Sequence, residues 1–184
     1  MTSKKMQAIL DAIKSQCAKK RYVGSMEEQR EGFDRHMASL QVPKSIVTEG
    51  FFLAGRRSRR FMPDRQKTPE AVLFLHGGGY RTGSLNSQSS IMGHLAVACD
   101  AEVIGLDYRL APENQYPAAL DDSVAAFVEI CKSLDENKVM ISGDSAGGCL
   151  ALALRLKDEN LPLPGCLELL SPATDLTMSR NSYG

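Results

Sequence analysis

The chain has 184 residues, of which 43% are hydrophobic and 24% charged, and its 22 basic residues balance its 22 acidic ones. This length favours a single domain, and the composition is that of an ordinary globular protein. A neutral chain has no overall field to attract nucleic acid or an anionic membrane, and no apolar run is long enough to span a bilayer.

The start of the chain and its cysteines predict a cytoplasmic protein. The segment MTSKKMQAILDAIKSQ carries charges among its apolar positions, unlike the continuous apolar centre of a signal peptide. The cysteines are odd in number, scattered, and without a C-x-x-C pair: Cys17, Cys99, Cys131, Cys149 and Cys166. We therefore expect reduced thiols, several of them buried within apolar runs.

Residues 1–44 predict a helical segment separate from residues 45–184. One apolar stripe at helical spacing is formed by Met6, Ile9, Leu10, Ile13 and Cys17. A second helical stretch, from about residue 26 to 40, is mostly charged, with Phe33, Met37 and Leu40 on one side. We interpret His36 in this stretch as a solvated residue, because nothing nearby would orient it for catalysis.

Two strand-like segments follow Pro43, at residues 45–54 and about 59–63, and they predict a hairpin at the edge of a sheet. They are joined through Gly55-Arg56-Arg57-Ser58, and two more arginines lie at 59 and 60. These arginines are compatible with a phosphate site. Charged residues on an edge strand also protect against aggregation, and the neutral net charge favours this protective role.

Beyond residue 70, strands alternate with helices. Apolar strand-like segments occupy residues 71–75, 102–107, 138–142 and 166–170, with helical stretches at 87–98, 117–132 and 146–158. The alternation predicts an α/β protein with a doubly wound, mostly parallel sheet. In such sheets the site lies at the carboxyl ends of the strands, where two glycine-rich loops begin, at residues 76–84 and 143–148.

The second glycine-rich loop contains Gly143-Asp144-Ser145-Ala146-Gly147, between a strand and a helix. It matches the G-x-S-x-G nucleophile elbow, in which a serine is held in a strained turn. The flanking glycines, Gly143 and Gly147, lie where a side chain would collide as strand and helix fold back on each other. We predict Ser145 as a nucleophile and the Ala146 amide, which has no intrahelical acceptor, as an oxyanion donor.

The first loop contains His76-Gly77-Gly78-Gly79-Tyr80. Acyl transfer needs donors that converge on one oxygen, and glycines let backbone amides approach a ligand closely. A loop of this HGGG type pairs with the residue after the nucleophile. We therefore predict an oxyanion hole of Gly78, Gly79 and Ala146, with loop support from His76, Gly77, Gly143 and Gly147.

Nucleotide binding is the competing interpretation of these glycines. The series Gly77, Gly79, Thr82 lacks the last glycine of G-x-G-x-x-G, so it does not complete the dinucleotide-binding motif. Residues 78–84 have the glycine spacing of a P-loop, but Ser84 takes the place of its lysine. Both phosphate interpretations fail on the residue that does the binding.

Together these motifs resemble the hormone-sensitive-lipase-like branch of the α/β-hydrolases, which includes many bacterial carboxylesterases. The matching segments run in family order: HGGGY at 76–80, DYRLAPE at 107–113, YPAA at 116–119, GDSAGG at 143–148 and SPATDL at 171–176. The resemblance implies an α/β-hydrolase fold that hydrolyses short or medium acyl esters or lactones, without a metal or organic cofactor. It also implies that residues 1–44 form part of a cap and that residues 108–113 support the site structurally.

The histidines depart from the family pattern. Triads of α/β-hydrolases run in the order Ser, Asp or Glu, His, whereas His36, His76 and His94 all precede Ser145. Asp175 matches the SPATDL segment rather than a triad position. We therefore predict that the C-terminal strands and helices of the fold are missing, and that the chain alone is inactive or nearly so.

Two hypotheses remain from the sequence. The chain is the N-terminal part of a longer serine esterase, or it is a naturally shortened remnant that binds a ligand or partner without catalysis. The intact elbow and glycine loop favour the esterase. An unpaired sheet edge is expected to promote self-association, or the chain forms a homodimer as the family does.

Overall fold

The structure is a computed structural model that describes residues 24–37, 40–66, 68–148 and 161–173, together with residues 7, 150 and 157. The predicted N-terminal stripe from Met6 to Cys17 lies outside these residues, as do Cys149, Asp175 and most of the helix predicted after Ser145. None of the described helices is long and apolar enough to cross a membrane.

Six strands form one sheet in the order β1-β2-β4-β3-β5-β6. The strands are β1 (Ile46–Leu53), β2 (Arg56–Pro63), β3 (Ala71–Leu75), β4 (Glu102–Leu106), β5 (Val139–Asp144) and β6 (Cys166–Leu170). The described helices are α1 (Met26–Met37), α2 (Ser89–Cys99) and α3 (Ala118–Cys131), and a short 3₁₀ turn, Glu136–Lys138, precedes β5. β1 and β2 pair antiparallel to their neighbours, whereas β4, β3, β5 and β6 are parallel, which confirms the predicted fold class.

The hairpin differs from its prediction. β2 begins at Arg56 because the turn has only two residues, Ala54 and Gly55, with positive φ angles of 47° and 77°. Left-handed backbone at both turn residues is typical of a type I′ turn, whose twist matches that of the strands. β1 is therefore the edge strand, and β2 lies inside the sheet between β1 and β4.

The arginines of β2 do not protect an edge, so that interpretation is wrong. Each of them contacts a partner inside the chain. Ion pairs join Arg56 to Asp122 at 3.8 Å, Arg57 to Asp107 at 3.5 Å and Arg60 to Glu102 at 3.2 Å, while Arg59 donates to Asn86 at 3.0 Å and Ser89 at 3.3 Å. The arginines thus tie β2 to β4, α3 and the start of α2.

Apolar side chains pack on both faces of β3. Every residue of this strand is buried, as expected of a parallel strand covered on two sides. One face, with Leu73 and Leu75, packs in the same core cluster as Phe127 of α3. The other face, with Val72 and Phe74, packs in a second cluster that includes Met92 and Ala96 of α2. The central strand is therefore held from both sides.

The cysteines are less buried than expected. Cys99 ends α2 and Cys166 begins β6, and both are exposed, whereas Cys131 at the end of α3 is half-buried. All of these thiols are free. The prediction of buried cysteines is wrong for these three because each lies at the end of its element, away from the central strands.

Candidate active site

The sheet topology brings the two glycine-rich loops together. β3 lies between β4 and β5, and its last residue, Leu75, is level with Gly143 of β5 in the parallel register. The chain therefore leaves β3 and β5 at the same edge of the sheet. Because successive strands run to opposite sides of β3, this is the topological switch point at which α/β proteins bind ligands.

Ser145 lies on the turn that follows β5. Its φ is 51°, a left-handed conformation that is strained for a residue with a side chain, and the residue is exposed. The Ser145 amide donates to the Leu170 carbonyl at 3.0 Å, and its carbonyl accepts from the Ala173 amide at 3.0 Å. β6 and the residues after it therefore hold the turn in this conformation.

The glycines of the elbow are required by close backbone packing. A Cβ on Gly147 would lie 1.8 Å from the Leu75 carbonyl oxygen, and one on Gly143 would lie 2.5 Å from the Gly147 carbonyl carbon. Residues 146–148 are helical. The first turn of this helix thus packs directly on the carboxyl end of β3, where a side chain on either glycine would displace backbone.

The loop after β3 is closed around the Gly78 carbonyl. That oxygen accepts from the Arg81 amide at 3.2 Å, the Thr82 amide at 3.0 Å and the Thr82 hydroxyl at 2.9 Å. Gly78 and Gly79 have φ angles of 124° and 63°. Apart from the neighbours of Gly79 along the chain, no atom of the described residues lies within 4 Å of the place that a Gly79 Cβ would take. The loop therefore presents Gly79 to open space.

Asp144 joins the two loops, a role that the sequence analysis missed. The Gly77 amide donates to Asp144 Oδ1 at 2.7 Å, and Gln88 Nε2 donates to Oδ2 at 3.4 Å. Burial raises the pKa of Asp144, although the Gly77 amide and the nearby His76 act in the opposite direction. The only sequence signal for this residue was its place beside Ser145 in the motif.

His76 is a buried support of the glycine loop. It is 2% exposed, its Nδ1 donates to the Gly77 carbonyl at 2.8 Å, and its ring stacks on Tyr108 with 4.2 Å between ring centroids. The Tyr108 hydroxyl donates to the His76 carbonyl oxygen. A Cβ on Gly83, whose φ is 90°, would lie 2.5 Å from His76 Nδ1. Gly83 has no sequence signal beyond its place in the failed P-loop match.

Burial of His76 predicts a loss of stability in acid. Burial lowers the pKa of His76 below its ordinary value of 6.5, so the unfolded chain binds the extra proton. Its stabilising contribution is full above pH 6.5 and is lost as the pH falls toward the folded-state pKa. The free energy of unfolding, measured in urea, should therefore decrease less between about pH 7.5 and about pH 5.5 in His76→Gln than in the wild type.

The matched control for this measurement is His94→Gln. His94 is exposed on α2, where its Nδ1 lies 2.8 Å from the Ser90 carbonyl oxygen. Since other titrating groups are common to all three proteins, they cancel in the comparison. The decrease in His76→Gln is compared with the decreases in the wild type and in His94→Gln, and equal decreases in all three proteins would contradict the prediction.

The segment from Tyr108 to Glu113 has the structural role that the family resemblance implies. Arg109 Nε donates to both carboxylate oxygens of Asp122 at 3.1 and 2.9 Å, Nη2 donates at 2.8 Å, and the Arg109 amide donates at 2.9 Å. Burial raises the pKa of Tyr108 well above its ordinary value. The segment places the Tyr108 ring against His76, and Arg109 binds the segment to Asp122 of α3.

In the part of the chain that the structure describes, no hydrogen bond joins Ser145 to His76 or His94: His76 Nδ1 donates to the Gly77 carbonyl, and His94 Nδ1 lies beside the Ser90 carbonyl oxygen. His36 lies on α1 and is exposed, as expected. Within the described part of the chain, no group of His, Cys, Asp and Glu side chains is arranged to hold a metal ion. The site thus consists of an exposed serine, a glycine loop and the residues that join them.

Comparisons with known proteins agree with this architecture. A family model described as an α/β-hydrolase fold matches residues 72–184. The chain is 34% identical over 167 residues to an acetyl-hydrolase of Streptomyces hygroscopicus, covering 87% of this chain and 54% of that protein. It is 38% identical over 133 residues to an esterase of Acinetobacter venetianus, covering 71% of this chain and 44% of that protein.

A solved structure is similar over nearly the whole chain. The fold matches the crystal structure of an esterase from the bacterial hormone-sensitive lipase family with a TM-score of 0.89 and 30% identity, covering 99% of this chain and 62% of that one. The chain spans about half the length of the curated relatives it matches. By sequence and by fold, it belongs to the α/β-hydrolase family, in its hormone-sensitive-lipase-like branch.

Proposed function

We propose that this chain supplies the nucleophile and the oxyanion hole of a serine carboxylic-ester hydrolase. The Ser145 hydroxyl oxygen attacks the ester carbonyl, the alcohol leaves, and water then releases the acid from the acyl-enzyme. The observation that carries the proposal is the exposed Ser145 at positive φ, on a turn that Asp144 ties to the glycine loop. The relatives named as esterases and acetyl-hydrolases support the same class of reaction.

The amides of Gly78, Gly79 and Ala146 are proposed as the oxyanion donors. Gly79 faces open space, and Ala146 is the first helical residue after Ser145, so its amide has no acceptor within the helix. Donors of this kind stabilise the negative charge that develops on the carbonyl oxygen, and each one typically changes the rate by about 10² to 10³.

The proton of the Ser145 hydroxyl needs an acceptor, and within the described ranges neither His76 nor His94 is hydrogen-bonded to that hydroxyl. The chain has three histidines, all before Ser145, and the triad order of this fold requires one after it. We therefore infer that the 184 residues alone hydrolyse esters slowly. A serine-hydrolase site without its base keeps a rate enhancement of about 10³ to 10⁴ over the reaction in water.

The substrate is proposed to be a small ester or lactone with a short or medium acyl group. A cavity of about 530 Å³ opens beside Gly79, within the usual size range of small-molecule sites. Its lining includes Tyr80, Ala111, Pro117, Leu120 and Leu150. The cap role of residues 1–44, a cytoplasmic location and self-association also remain predictions.

Covalent labelling with a small fluorophosphonate tests the nucleophile. Attack by the serine oxygen on phosphorus displaces fluoride, and the modified residue is identified by mass spectrometry. Ser171 is an internal control, since it is also exposed, has a φ of 50° and follows a strand, but its turn does not match the G-x-S-x-G motif. We expect Ser145 to react at least about tenfold faster than Ser171, because an oxyanion hole stabilises the transition state.

The proposal would be contradicted if Ser145 is not labelled, or if Ser171 is labelled as fast. Either result would favour a protein that binds a ligand or partner without catalysis.

Hydrolysis of p-nitrophenyl acetate by the chain and by Ser145→Ala tests the missing base. We expect no difference of enzymatic size between them. Rapid turnover that depends on Ser145 would show that a base is present after all.

A further inference from the structure

Three side chains on one face of α1 contact the glycine loop. Met26, Arg30 and Asp34 are spaced at i, i+4 and i+8, which places them above one another on the helix. Arg81 Nη2 lies 3.1 Å from Met26 Sδ, Arg30 Nε donates to the Arg81 carbonyl at 2.8 Å, and the Ser84 hydroxyl donates to Asp34 Oδ2 at 2.8 Å. The helix therefore lies along the outer half of the loop.

The Arg30 guanidinium also binds the loop that follows β4. Its Nη2 donates to the Ala111 carbonyl at 2.9 Å, and Nη1 and Nη2 donate to the Glu113 carboxylate at 3.0 and 2.6 Å. The planar fork of arginine is suited to several acceptors at once. One side chain of α1 thus holds the loops after β3 and β4 in a fixed relation.

The glycine loop needs such support from outside. Glycine loses more conformational freedom on ordering than any other residue, and Gly78 and Gly79 both adopt positive φ. Asp144 binds the loop at Gly77, on its inner half. On the outer half, Arg30 binds the carbonyl of Arg81, whose amide closes the turn on Gly78.

We propose that Arg30 is a positioning residue for the oxyanion hole, through which the docking of α1 holds the Gly78 and Gly79 amides in place. The inference rests on the proposed function of those two amides. The contacts to the carbonyl groups carry most of the effect. The ion pair contributes little, because the Arg30 and Glu113 side chains are 29% and 53% exposed.

Hydrogen exchange in the complete chain tests the loop directly. The Arg81 and Thr82 amides both donate to the Gly78 carbonyl and report on the closed turn. In Arg30→Gln we expect these two amides to exchange about tenfold faster, as local opening becomes easier, while the amides of β3 keep their wild-type rates. Arg30→Lys should restore part of the protection, since an ammonium can still donate to a carbonyl.

Two control variants separate the carbonyl contacts from charge. Arg35→Gln makes the same substitution on the same helix, at a side chain that is 73% exposed and pairs with Glu31 at 3.5 Å. It should leave the Arg81 and Thr82 amides unchanged. Glu113→Gln removes the ion pair alone and should raise their exchange less than Arg30→Gln does.

The rate of fluorophosphonate labelling at Ser145 is the second readout, and it should fall in Arg30→Gln. Three results in Arg30→Gln would each overturn the inference. The exchange rates of the Arg81 and Thr82 amides could stay unchanged, or the amides of β3 could exchange faster by the same factor. The third result is faster exchange at Arg81 and Thr82 with an unchanged rate of labelling at Ser145. The wild type is labelled first. Failure of Ser145 to react there refutes the proposed function, whereas the exchange result reports on Arg30 separately.

Discussion

Replacing Gly147 by alanine is expected to lower the free energy of unfolding by at least about 3 kcal/mol. The added Cβ would lie 1.8 Å from the carbonyl oxygen of Leu75 and 2.7 Å from that of His76. Both oxygens belong to backbone at the end of β3, a strand that is buried along its whole length. Because this backbone cannot move without disturbing the sheet, the helix must separate from the strand.

Urea denaturation of Gly147→Ala and the wild type measures this effect, with Gly50→Ala as the matched control. Gly50 lies in β1, and, its chain neighbours aside, no atom in the described part of the chain approaches within 4 Å of the place that its Cβ would take. The control should therefore stay within about 1 kcal/mol of the wild type. A Gly147→Ala protein as stable as Gly50→Ala would show that the elbow packs less tightly than described.

Replacing Asp122 by alanine is expected to cost about 2 to 4 kcal/mol. The Asp122 side chain is 7% exposed and accepts hydrogen bonds from the Arg109 amide, Nε and Nη2. Its removal leaves the Arg109 amide without its acceptor and the guanidinium groups of Arg109 and Arg56 without their shared counter-charge. The cost stays below that of a fully buried pair because the Arg109 side chain is 36% exposed and partly solvated.

The neighbouring residue provides the control. Asp121 also lies on α3 and pairs with Lys157 at 3.1 Å, but its side chain is 48% exposed. Asp121→Ala should cost no more than about 1 kcal/mol, as is usual for surface ion pairs. Both variants are compared by urea denaturation, and equal losses would contradict a special role for Asp122. Asp122→Asn should fall between them, because the amide oxygen still accepts from the Arg109 backbone.

The central strands were predictable because a short, continuous run of apolar residues is typical of a parallel strand buried on both faces. β3 and β6 have the predicted bounds, and the apolar run AVLFL of β3 is buried on both faces. The hairpin lies at the edge of the sheet, as predicted, but its turn was placed too late in the sequence, because the turn begins with Ala54 at positive φ, a conformation that favours glycine or asparagine. Without that turn, the length of β2 and its place inside the sheet could not be inferred.

The elements of the candidate site were predictable for a different reason. A strand that turns sharply into a helix needs small residues on either side of the turn, so Gly143 and Gly147 mark the elbow locally. The roles of Asp144 and Arg30 have no such local mark. Asp144 is a carboxylate next to a serine, and Arg30 is an arginine in a mostly charged helix. Both are ordinary features in the sequence, because their partners come together only in the folded chain.

The amino-acid sequence by itself therefore determined the strands, the turn glycines and the order of the motifs, since each depends on neighbours along the chain. Tertiary structure alone decided which side chains meet. Asp144 binds the amide of Gly77, 67 positions away, and Arg30 binds Glu113, 83 positions away. Such pairs depend on sheet register and on the paths of loops, and these are set by packing of the whole core rather than by any local pattern.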